Sequence, residues 1–267
     1  MSEPQPPNLL IAGVQKGGTT WLHQMLARHP DVFMTSVKEL NYFNRRDLVR
    51  SADAWAAYLA HFEEAGTTRI RGESTPHYFW VKDEASPFSP RPRHDNAEEI
   101  DRRLGSETQI VVVLRHPVDR AVSAAHHNFA RGRIGRTESI WDASVKLGLV
   151  DLGFYGRHLP RWLSVFGTGR FHVMLYDDLV SDPRRFVADL ASRIGVAPSE
   201  TWLDALDLGA RINDRAALLA DHREDGESYQ GIASSDRERL AELYRHDIEA
   251  VEALLGREVW TAGHTSA

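Results

Sequence analysis

The chain contains no cysteine. Disulfides, thiolate nucleophiles and cysteine-ligated zinc are therefore excluded. Lysine is scarce: of 32 basic residues only Lys16, Lys38, Lys82 and Lys146 are lysines. Positive charge is not in excess either. The formal net charge is -6, so bulk electrostatics predict no nucleic-acid partner, and any anion site must be local. No run approaches the ~18 apolar residues of a membrane span. Met1 to Pro7 lacks the basic-then-apolar pattern of a secretion signal. A cytoplasmic protein without a membrane span is expected. No internal repeat or long low-complexity tract interrupts the chain.

What is present is an ordinary globular composition, 42% hydrophobic and 26% charged over 267 residues, enough to bury a sizeable core. Apolar runs at Asn8–Ala12, Asp31–Met34, Arg69–Glu73, Gln109–Leu114 and Phe171–Tyr176 read as strands. The run Gln109–Leu114 lacks alternation, as a strand covered on both faces should. Helical spacing is seen at 19–26, 53–62, 117–130, 154–166, 183–194 and along the C-terminal segment. Asn96 is expected to cap a helix ending at Gly105, and Ser235 to Glu238 to form a capping box. Alternating strands and helices predict one α/β domain over residues 1–267. Its architecture would be P-loop-like: a mostly parallel sheet with helices on both faces. Ligands in such folds sit at the carboxyl ends of strands.

Four constellations carry chemistry. The first is Gly13-Val14-Gln15-Lys16-Gly17-Gly18-Thr19-Thr20-Trp21, between the first strand and the first helix. Backbone N–H groups, a helix N-terminus and a lysine together make an anion cradle; the bland alternative is a turn with a solvated lysine. Gly13 and Gly18 have the Walker spacing, but Thr19 stands where the nucleotide-binding P-loop has its lysine, and Lys16 lies inside the loop instead. The second is Arg115, at a strand end, with Ser123 about two turns into the helix that Pro117 opens. Together with the first loop they suit a ligand with two separated phosphates. The third, Lys38 to Asn44, offers Glu39 as a base that could take an acceptor proton. The fourth, Gly72 to Phe79, offers His77 as a second acid–base group. The bland alternatives are Glu39 as a surface acid and His77 as a polar surface residue. His126 and His127 either line a cleft or cover a helix surface.

With these residues in view, the chain resembles the sulfotransferases that use 3′-phosphoadenosine 5′-phosphosulfate (PAPS). Lys16 to Trp21, with Leu114-Arg115-His116-Pro117-Val118-Asp119-Arg120-Ala121-Val122-Ser123, resembles the two cofactor motifs of that family. The likeness extends to Lys38–Phe43, Gly72–Phe79 and Tyr176–Leu179, and so covers about two thirds of the chain. It implies that Lys16, Gly17, Gly18, Thr19 and Thr20 hold the 5′-phosphosulfate, and that Arg115 and Ser123 hold the 3′-phosphate. Trp21 would stack on adenine or serve as a core residue of its helix. Glu39 stands where heparan-type carbohydrate sulfotransferases carry their general base, with His77 in reserve. The implied reaction is sulfuryl transfer to a hydroxyl, or secondarily an amine, of a small-molecule or carbohydrate acceptor. No metal is required by it.

The chain departs from the heparan-type pattern at Ser74, where a lysine is expected. No C-terminal Gly-rich basic loop is evident beyond a loose substitute at His222–Gly226. The overall acidity argues against a long polyanionic acceptor. A P-loop kinase or NTPase and a degenerate, non-catalytic nucleotide-binding protein are the alternatives.

Overall fold

A computed structural model describes residues 4–81, 86–88, 95–209 and 228–260. The described chain divides into two compact units. Unit one comprises residues 1–79, 94–114 and 162–212; unit two comprises 80–93, 115–161 and 213–267.

Unit one is built on a five-stranded parallel sheet. The strands are β1 (Leu9–Gly13), β2 (Val32–Met34), β3 (Ile70–Ser74), β4 (Gln109–Leu114) and β5 (Phe171–Leu175), in the order β2-β3-β1-β4-β5. All four pairings are parallel, with Leu9 beside Gly72 on one side of β1 and beside Gln109 on the other. Leu9–Ala12 and Ile110–Leu114 have no exposed surface, so both faces of the central strands are covered. The helices are α1 (Thr19–Leu26), α2 (Arg46–Val49), α3 (Ala52–Ala60), α4 (Asn96–Leu104), α8 (Tyr176–Ser181), α9 (Pro183–Arg193) and α10 (Glu200–Asp204). One core cluster joins Leu9, Ile11, Val111 and Val113 to Leu22 and Met25 of α1 and to Val187 and Leu190 of α9. Elsewhere Trp162 stacks on Phe171 at 6.0 Å and donates its Nε1–H to the Phe79 carbonyl at 3.1 Å.

Unit two gathers α5 (Pro117–Ala130), α6 (Ser144–Leu147) and α11 (Ser234–Leu255). Helix α7 (Tyr155–Arg170) begins in this unit and ends in the other, with a non-helical Gly167 inside it. Its core joins Ala121 and Ala125 to Leu149, Val150, Leu240 and Tyr244. Asp151, without exposed surface, takes the Trp80 indole N–H at 2.5 Å, the Ser86 hydroxyl and the Arg157 guanidinium.

Three local expectations are corrected. Asp95, not Asn96, caps α4, because its carboxylate reaches the Glu98 N–H at 3.2 Å while the Asn96 amide turns inward to the Tyr78 carbonyl. At α11 the acid is Asp236, accepting from the Ala233 N–H at 2.7 Å, so the helix starts before the predicted Ser235 box. Tyr176 opens α8 rather than ending β5. Residues 82–85 and 89–94 and all of His222–Gly226 lie outside the described residues. Among the described residues no helix is long and apolar enough to cross a membrane.

Candidate active site

Strand order decides where the chemistry gathers. The chain leaves β1 toward β2 and β3 on one side and returns to β4 on the other, which makes the β1/β4 junction the topological switch point. The loop from Val14 to Gly18 runs from the carboxyl end of β1. Its start is tied back to β4 by the Val14 N–H, which donates to the Val113 carbonyl at 3.3 Å, and it closes on itself through the Gly17 N–H and Val14 carbonyl at 2.9 Å. Both glycines are sterically required. A Cβ on Gly17 would lie 2.2 Å from the Val113 carbonyl oxygen, and Gly18 sits at φ +85° with Leu179 3.3 Å from its missing Cβ. Lys16 itself takes the left-handed conformation, φ 72°, which a non-glycine residue holds only at a cost.

Helix α1 starts directly after this loop. Helices α3, α4 and α9 are closed by the side chains of Ser51, Asp95 and Asp182. At α1 the cap is Gly18, which offers no side chain, and the first turn holds no acid, only Thr19 and Thr20. The positive end of the helix dipole is thus left for an external anion. The cradle a Cβ would fill, the uncapped turn and Lys16 fit a phosphate-like group. Trp21 lies in the core cluster with 5% of its surface exposed.

The neighbouring strand ends supply the acid–base groups. After β2 come Lys38 and Glu39, whose Nζ and Oε1 are 3.3 Å apart; the two side chains are 16% and 35% exposed. At the end of β3 stand Glu73, Ser74 and Thr75, none with exposed surface. His77 lies in the turn that follows and is half-buried. Sequence reading passed over two titratable groups here, Glu73 and His23. Glu73 accepts the Thr75 hydroxyl at 2.8 Å and the Tyr58 hydroxyl at 3.4 Å. Burial pushes its carboxyl up to about 7, against hydrogen bonds from Tyr78, Thr75 and Tyr58 and the Lys38 charge, which pull it down. His23 of α1 has Nδ1 2.9 Å from the Ser74 hydroxyl and Nε2 3.0 Å from the Thr35 carbonyl. A carbonyl only accepts, so Nε2 carries the proton and the neutral ring's Nδ1 accepts from Ser74. Burial pushes this imidazole down to about 4, with the Lys38 charge adding to the effect. Where a lysine was expected, the chain therefore has a serine bound to a neutral histidine. A lone histidine on a helix face and an acid inside a strand give no such signal in sequence.

Unit two carries the other predicted pair. Arg115 follows β4 directly, and Tyr155, without exposed surface, donates its hydroxyl to the Arg115 carbonyl at 2.9 Å. Helix α5 begins at Pro117 and, like α1, has no side-chain cap. Ser123 is half-buried on the same helix. Asp119, in the first turn, is paired with Arg237 at 3.1 Å. His126 and His127 are half-buried on α5.

Comparison with known proteins bears on this arrangement. The family model described as "Sulfotransferase domain" matches residues 6–208. Mouse heparan sulfate glucosamine 3-O-sulfotransferase 6 is 31% identical over 206 residues, which cover 71% of this chain and 52% of that protein. The chain spans about half the length of the curated relatives it matches first. A sulfotransferase from Alicyclobacillus acidocaldarius superposes with a TM-score of 0.71 at 23% identity, covering 95% of this chain and 97% of that one. Retinol dehydratase, solved in a complex with retinol and PAP, superposes with a TM-score of 0.51 at 17% identity, covering 97% and 85%. Both likenesses are of fold.

Proposed function

The chain belongs to the sulfotransferase domain family, and from that premise we propose that it moves a sulfuryl group from PAPS to an acceptor hydroxyl by in-line displacement. The observation that carries this reading is the loop before α1. Two glycines pressed against β4 and β5-side residues, a left-handed Lys16 and an uncapped helix start form a cradle for a tetrahedral anion. The donor supplies the sulfuryl group and a phosphate leaving group. Lys16, Gly17, Gly18, Thr19 and Thr20 bind its phosphosulfate end, and Lys16 neutralises charge on the bridging oxygen. The resemblance assigns Arg115 and Ser123 to the 3′-phosphate and Trp21 to stacking on adenine. Glu39 takes the acceptor proton, and His77 is the second choice for that role.

The retinol dehydratase fold holds PAP, the product such a transfer leaves, which supports the choice of nucleotide. The mouse relative's name places glucosamine hydroxyls first among acceptors to try. An amine acceptor comes second.

The test is an acceptor panel with isotope-labelled PAPS, read by mass spectrometry for an added sulfo group. With a productive acceptor in hand, Glu39→Gln should lower turnover by roughly 10²–10⁴ while PAP still raises the melting temperature. Lys16→Ala should lower turnover severely. Near-normal turnover in Glu39→Gln would remove that residue from the role, and a mild Lys16→Ala would undo the assignment of the loop.

A further inference from the structure

Glu73 has no exposed surface, so it cannot meet a substrate. Its carboxylate nonetheless collects three hydroxyls, from Thr75 at 2.8 Å, from Tyr58 at 3.4 Å and from Tyr78. Two of these hydroxyls have a second partner. The Thr75 Oγ1 accepts the backbone N–H of Asn41 at 3.3 Å, and the Tyr78 Oη accepts the backbone N–H of Phe43 at 3.5 Å. Both donors belong to the segment that carries Glu39. A hydroxyl has one proton to give. Because Glu73 takes that proton from each, both oxygens are left to receive the loop.

The loop's side chains are held as well: Tyr42 and Phe43 are buried against Tyr58, and the Asn96 amide donates to the Asn44 Oδ1 at 3.1 Å. Asn41 sits at φ 56°, a left-handed conformation that must be fixed by its surroundings. Its side-chain amide donates to the Glu39 carbonyl at 3.0 Å, and its amide oxygen accepts from Asn44 at 3.0 Å. These bonds stiffen the loop internally. The bonds through Thr75 and Tyr78 tie it to the end of β3.

We propose that Glu73 is a positioning residue: by orienting the Thr75 and Tyr78 hydroxyls it clamps the Lys38–Asn44 loop at two points and so aims Glu39. The proposal rests on Glu39 being the base, and it makes a prediction about the loop that does not. Tyr58 provides an internal control, since its hydroxyl binds Glu73 with no loop N–H on it among the described contacts.

The experiment compares Glu73→Gln, Thr75→Val, Thr75→Ser, Tyr78→Phe and Tyr58→Phe in the full chain. Hydrogen exchange, read on the peptide that contains Asn41 and Phe43, should speed up at least tenfold in Glu73→Gln, Thr75→Val and Tyr78→Phe. It should stay near wild type in Thr75→Ser and Tyr58→Phe. Turnover should follow the same division: a fall of roughly 10–100-fold in kcat, little change in KM for PAPS, and recovery in Thr75→Ser. Unchanged exchange in Thr75→Val overturns the clamp. Equal losses in Tyr58→Phe and Tyr78→Phe also overturn it, because a general loss of packing would not distinguish the two tyrosines. If Glu73→Gln does not fold, the Thr75 pair decides alone. If the exchange pattern appears but Glu39→Gln keeps its turnover, the clamp stands and the choice of base falls.

Discussion

At the scale of single residues, two buried groups, Glu73 and the His23 that binds its chain neighbour Ser74, have opposite acid–base habits. Glu73, held up at about 7, binds a proton more readily in the folded chain than in the unfolded one, where a glutamate titrates near 4.5. Proton uptake therefore favours folding: the contribution is complete below about pH 4.5, shrinks as pH rises and is gone above about 7. His23 runs the other way. Its imidazole titrates at about 4 when folded against 6.5 ordinarily, so the unfolded chain takes the proton first. Its contribution is present above pH 6.5 and is lost as pH falls toward 4. Each displacement corresponds to ~3 kcal/mol, so between these limits the two slopes largely cancel. Single substitutions should unmask them. From pH 6.5 down to 4.5, Glu73→Gln should lose stability relative to wild type, and His23→Gln should gain it. Urea midpoints at three pH values check this; curves parallel to wild type would mean that neither group carries its assigned shift. The same pair explains why the Ser74 position needs no lysine to be satisfied. Its hydroxyl donates to an imidazole that stays neutral at physiological pH.

At the scale of elements, the arrangement follows from a few local rules. The five strands were legible as short apolar runs, and Gln109–Leu114 matches β4 residue for residue. A short, β-branched run without alternation suits a strand buried on both faces, and β4 is that strand. The anion loop was legible as well, because a glycine pair between an apolar run and a helix has few other uses. Its mechanics were not. That Gly17 is needed against the Val113 carbonyl depends on β4 lying beside β1, a pairing of residues about a hundred positions apart. Gly17→Ala should therefore cost about 1–3 kcal/mol in a urea titration and abolish stabilisation by PAP. An unchanged midpoint would mean that the loop can move off β4. Helix starts were read to within one or two residues and their caps less well. Asp95 rather than Asn96 closes α4 because Asp95 stands just before the first turn with its carboxylate oxygen toward the Glu98 N–H. The acid–base network behind Glu39 escaped sequence reading for a related reason. Tyr58, Glu73, Thr75 and Tyr78 come from α3, β3 and the turn after it, and nothing in their spacing announces that they meet. Helical spacing over 53–62 does not single out Tyr58, which is buried with its hydroxyl on Glu73.

At the scale of the whole molecule, the proposed function asks an acidic chain to bind an acidic nucleotide. The net charge of -6 repels such a ligand at long range, so affinity must come from short-range features. Two are in place: helices α1 and α5 each start without a side-chain cap, next to Lys16 and Arg115. Each of these helices follows one of the two strands at the switch point, β1 and β4. A triphosphate with magnesium would instead call for a lysine following the second glycine and a metal-binding acid at the end of β4, and the chain has Thr19 and Arg115 there. Adenosine 3′,5′-bisphosphate at about a hundred times its dissociation constant should therefore stabilise the fold by ~3 kcal/mol, a rise of roughly 5–10 °C in melting temperature. The rise should appear in the presence of a chelator and shrink in Lys16→Ala and in Arg115→Ala. Mg-ATP at the same concentration should produce a much smaller change. A thermal scan in which Mg-ATP matches or exceeds the bisphosphate would return the chain to the kinase or NTPase reading. A scan in which neither ligand shifts the transition would make the site a degenerate one. The salt dependence separates these further. Binding to partly buried cations at helix starts should weaken only modestly as ionic strength rises from about 50 to about 200 mM, because partly buried pairs are screened far less than exposed ones.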